Sequence, residues 1–66
     1  MSKSEASEAI RSLEAEMEDL AESRRALAGL ARLGRRWAIS EQDQLGARIR
    51  ECQSRITTLK LAASRG

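Results

Sequence analysis

The sequence predicts an all-α fold, an antiparallel two-helix hairpin packed like a coiled coil, which dimerises into a four-helix bundle. Three observations predict it. Ala, Leu, Glu, Arg and Gln dominate, proline and valine are absent, and few residues are β-branched, so helix is favoured throughout and no strand is expected. Apolar side chains recur at alternating three- and four-residue spacings in two separate series. And 66 residues bury too little surface to be comfortable alone, while one cysteine and no histidine leave oligomerisation as the remedy, since an internal disulfide is impossible and a thiolate or imidazole metal site is disfavoured.

The elements follow in order within a single domain, 1–66. Helix 1 is expected over about 3–35, opened by the capping box Ser2-Lys3-Ser4-Glu5, in which serine oxygen and glutamate satisfy each other's free amides. Its seam runs Ile10, Leu13, Met17, Leu20, Leu27, with Arg24 where another apolar residue would continue the heptad, and with Ala31 and Gly34 as small continuations. Gly34 reads as a helix C-cap. A turn is expected over about 36–40. Helix 2, about 41–64, starts at the N-cap signal Ser40-Glu41-Gln42-Asp43, carries the seam Leu45, Ile49, Cys52, Ile56, Leu59, Ala63, and ends with Arg65 where a cation suits the dipole.

A short connection makes such helices antiparallel neighbours. The register expected sets Leu13 against Ala63, Met17 against Leu59, Leu20 against Ile56, Arg24 against Cys52, Leu27 against Ile49 and Ala31 against Leu45, with Glu14 opposite Lys60 on the flank. A second register, one heptad away, also matches the seams, but it is expected to demand a loop of about ten residues, longer than helix connections usually are.

A second apolar stripe gives the dimer its expected surface. Ala26, Leu30, Leu33 and Trp37 recur at helical spacing beside the first seam, and Ala21, Ala28 and Gly46 add a small-residue flank that lets another helix approach closely. The dimer interface expected is therefore Ala21, Ala26, Ala28, Leu30 and Leu33. Against it stands a monomer in which Leu30 and Leu33 merely cover the hairpin end.

Net charge is +2, yet residues 1–23 hold seven acids against two bases and residues 24–66 hold ten bases against three acids. Arg32, Arg35, Arg36, Trp37 and Ile39 gather at the predicted turn. Arginine and tryptophan are the types most enriched among interface hot spots, so these five are the candidate partner-binding residues. The competing reading has Trp37 plugging the bundle end while the arginines snorkel. The arginines could also neutralise phosphates of RNA or DNA, although Glu14 to Glu22 would repel a nucleic-acid backbone and one aromatic offers little stacking. Arg24 reads as a register device or a snorkelling side chain, Cys52 as a small buried hydrophobe, and Arg48 and Arg55 as partners for helix 1 acids.

Catalysis has no support here: with no histidine, no tyrosine, no phosphate loop and no nucleophile beside a base, no enzyme, no cofactor and no metal are expected. The N-terminus lacks an apolar core of signal-peptide length and the longest small or apolar run is Ala26–Ala31, so a cytoplasmic protein without membrane contact is the default expectation.

In length and two-helix pattern, and in its exposed-looking turn LGRRWAISEQD, the chain resembles the small helical-hairpin regulators of phages and plasmids. The phage quorum-sensing anti-activators are the nearer analogue, and the Rop-type RNA-binding regulators are similar in dimeric four-helix architecture. The resemblance implies a homodimeric regulator or inhibitor of a protein partner; it transfers no functional residue. Nucleic-acid binding and a purely structural coiled-coil role are the alternatives.

Overall fold

A computed structural model describes residues 2–65. Two α-helices of 30 residues each, α1 (Lys3–Arg32) and α2 (Arg36–Arg65), pack side by side as a hairpin measuring 49 × 14 × 11 Å. The long dimension is the length that 30 residues reach at 1.5 Å each, plus the turn.

α1 begins at the expected Ser2 cap. Ser2 is extended (φ −76°, ψ 160°), its hydroxyl oxygen accepts the Glu5 amide at 3.1 Å, and its carbonyl accepts the Ala6 amide at 3.0 Å. At the other end the Gly34 amide donates to the Ala31 carbonyl and the Arg35 amide reaches back to the Leu30 carbonyl, while Gly34 itself lies at φ +81°. That paired pattern is the Schellman stop, and only glycine enters the left-handed region at little cost.

The chain then re-enters helix at once. Only Leu33, Gly34 and Arg35 separate the helices, so the turn is shorter and earlier than the Ser40 signal suggests. Ser40 lies inside α2, whose first turn holds no acid, and the Arg35 carbonyl just before the helix accepts the Ala38 and Ile39 amides.

This early start corrects the register. The Cys52 thiol donates to the Glu16 carboxylate, the Gln42 side-chain amide donates to the Arg24 carbonyl at 3.0 Å, and the Arg24 guanidinium lies over Gly46. Met17 is thus level with Cys52, Leu20 with Ile49 and Leu13 with Ile56, one heptad from the pairing expected. Arg24 faces the neighbourhood of Leu45 rather than Cys52. Glu14 does not pair with Lys60; the one ion pair among the described residues is Arg48 to Glu16, at 3.8 Å and largely exposed.

The physical reason is end-to-end matching. In the expected register the first residues of α1 would have overhung without a partner, whereas two equal helices joined by a tight turn cover each other fully. Ala6 and Ala38, 1% and 0% exposed, mark the two ends of that cover, level with Ala63 and Ala31. An N-cap serine is worth about 1 kcal/mol, too little to hold back another turn of paired helix.

Leu20, Leu45 and Cys52 form the centre of the core, with Leu13, Met17, Leu27 and Ile49 packed against them; Ile56 is also buried, and Ile10 and Leu59 are half-buried. Among the described residues no helix is long and apolar enough to cross a membrane.

Candidate interaction surface

Which side chains the fold leaves over is decided by the helical screw. Ala38 points into the seam, so its neighbours Trp37 and Ile39 must splay to the two flanks, about 100° to either side. Trp37 is 57% exposed, Ile39 42% and Leu33 75%. Arg32, Arg35 and Arg36 are exposed at the same end, and none forms an ion pair among the described residues. The tip therefore combines three large apolar side chains with three arginines outside any ion pair among the described residues. Trp37 does not plug the hairpin end: Ala31 and Ala38 close that end.

The dimer residues expected from sequence are not one surface. Ala21 and Ala28 share a shallow groove of about 290 Å³ with Arg24, Arg25, Gln42 and Ile49. Ala26, Leu30 and Leu33 lie roughly 150° away around α1, and of these only Leu30 is half-buried. The stripe Ala26-Leu30-Leu33-Trp37 also does not continue along one helix, because the Gly34 turn puts Trp37 on α2. The hairpin has two broad flanks, one with small residues and one carrying Leu30 and Trp37.

Gly46 does not offer open space to another helix. A side chain of the same hairpin fills it, with the Arg24 Cζ and the Arg50 Nη1 each 3.7 Å from where a Cβ would stand. Arg24, at a seam position, escapes burial by lying across this glycine with its charge in water. Sequence reading assigned Gly46 to an interface because glycine spacing alone does not say which neighbour uses the room.

Cys52 is buried and free, and its thiol donates to Glu16 Oε2 at 3.5 Å. Burial pushes its pKa up, the hydrogen bond and charge of Glu16 push the same way, and Arg55 and Arg48 offset part of the rise. A thiol held in its neutral form beside a carboxylate is a poor nucleophile. The second flank continues past it into a groove of about 470 Å³ lined by Ala9, Ser12, Leu13, Arg55, Thr58 and Leu59.

Scans against protein-family models, curated proteins and solved structures return no match to this chain.

Proposed function

We propose that this chain is a non-enzymatic protein-binding module, a homodimeric helical hairpin that regulates or inhibits a protein partner through its tip. The observation that carries the reading is Trp37, more than half exposed at an end of the hairpin where Leu33, Arg32, Arg35 and Arg36 are exposed as well. Nothing in the hairpin needs a tryptophan there, since the seam at that level is closed by alanines. Large apolar side chains left in water at one end, framed by arginines, have the composition of an interface centre. The unneutralised guanidinium groups favour a partner with an acidic rim. Dimerisation is supported by the length of the seam: a single layer of side chains between two helices is a small core for 64 described residues.

Affinity capture from the native host, comparing the parent chain with the double variant Trp37→Ala/Arg36→Ala, tests the tip. Capture should disappear while helicity and dimer mass stay unchanged. A partner retained by the double variant would overturn the reading. Phosphate binding through the same arginines has a separate signature, a log-log fall of affinity with salt. Retention of generic RNA or DNA with that slope would favour the nucleic-acid alternative.

A further inference from the structure

We propose that the second copy docks on the small-residue flank, with the two tips at opposite ends, and that the Glu18 carboxylate of each copy pairs with Arg25 of the other, beside the guanidinium cluster over Gly46. The inference rests on the dimer in the preceding reading and specifies its face and orientation.

Three observations select the flank. First, Arg24 and Arg50 converge over Gly46 and Arg25 lies beside them in the Ala21–Ala28 groove, yet none of the three forms an ion pair among the described residues. Like charges brought together on an exposed face favour an acid from outside. Second, a shallow hollow of about 590 Å³ lined by Arg11, Glu14, Ala15, Met17, Glu18 and Ala21 adjoins that groove at Ala21, so one continuous face runs along α1 from acidic to basic. Third, the opposite flank has already paired Glu16 with Arg48 and carries the bulky Trp37.

The charges repeat one heptad apart on both helices, as Glu18 with Arg25 and Asp43 with Arg50. A two-fold axis near Ala21 that runs α1 antiparallel to its copy brings each Glu18 to the other copy's Arg25. The same axis brings each Asp43 toward the other copy's Arg50. Ala21 and Ala28 let the backbones approach closely enough for these pairs to form. An arrangement with both tips at one end would also pair Glu18, there with Arg50, but it would crowd Arg32, Arg35 and Arg36 of both copies together. The tip arginines therefore decide the orientation, and each copy keeps its tip free at its own end.

Sedimentation equilibrium on Glu18→Arg, Arg25→Glu and the double variant Glu18→Arg/Arg25→Glu tests this, with circular dichroism to follow helicity. Each single reversal should weaken the dimer about tenfold, because the two-fold repeats the loss of each exposed pair. The double reversal should restore most of it. Glu18→Gln, which adds no like charge, should weaken the dimer less than Glu18→Arg and serves if the reversal disturbs the helix. A dimer indifferent to Glu18→Arg would overturn this face while leaving the dimer itself standing. Rescue of Glu18→Arg by Arg50→Glu and not by Arg25→Glu would overturn the orientation. A monomer at every concentration of the parent chain would remove the dimer as well. Capture of a short RNA duplex that is lost in Arg50→Glu, with dimer mass unchanged, would assign the cluster to phosphate and overturn the proposal.

Discussion

The middle of the hairpin and its tip are built from the same helices and the same kinds of residue, yet they treat apolar side chains in opposite ways. At the middle, Leu20, Leu45, Cys52 and Ile56 are each at most 9% exposed. At the tip, the seam narrows to Ala31 and Ala38, and the large residues Leu33, Trp37 and Ile39 stand outside it. The middle shows what folding requires of this chain. The tip shows what folding does not require, and surplus apolar surface framed by arginines is what recognition uses.

That contrast can be broken most severely at Leu20. Leu20→Ala removes the side chain at the centre of the core and should cost about 2–4 kcal/mol, read as a large drop in the urea midpoint; a loss below about 1 kcal/mol would mean the seam is not what holds the helices. Gly34→Ala comes next. Forcing a Cβ into φ +81° should cost about 1–2 kcal/mol, and an unchanged melting temperature would show that the turn is not the Schellman stop described above.

The sign then reverses. Gly29 has open space where a Cβ would stand and Gly46 has only flexible guanidinium groups at 3.7 Å. Gly29→Ala and Gly46→Ala should therefore each stabilise by about 0.5–1 kcal/mol, measurable by thermal melting. Destabilisation at Gly46 would mean that Arg24 cannot yield and that its place over the glycine is rigid. The smallest effect belongs to the tip: Trp37→Ala should move hairpin stability by no more than about 0.5 kcal/mol, and a loss comparable to that of Leu20→Ala would erase the distinction between the two regions.

The same contrast explains what could be read beforehand. The two helices, the Ser2 cap and the glycine stop were legible because each rests on local chemistry, a heptad pattern or a capping group within a few residues. The register was not, because a heptad seam is in phase with itself after every seven residues and the choice falls to the ends. There, Ser40-Glu41-Gln42-Asp43 advertised a helix start that the chain passes over, since starting at Arg36 lets both helices run paired over their full length. Ala6 and Ala38, the most buried side chains among those of the core, gave no signal because alanine is as common on helix surfaces as in seams. Gly46 was recognised as room for a neighbour, but that the neighbour is Arg24 follows only from the register. At the candidate site, the identities of Arg35, Arg36 and Trp37 stood out at once, whereas their exposure depended on where α2 begins.

Trp37 is the chain's one tryptophan, so its fluorescence reports the tip without labelling. In the isolated protein, at concentrations where the proposed dimer would form, an open tip gives red-shifted emission that acrylamide quenches readily. Blue-shifted, protected emission in the isolated protein would contradict it, because Trp37 would then be part of the fold or of the contact between copies rather than a surface held open for a partner.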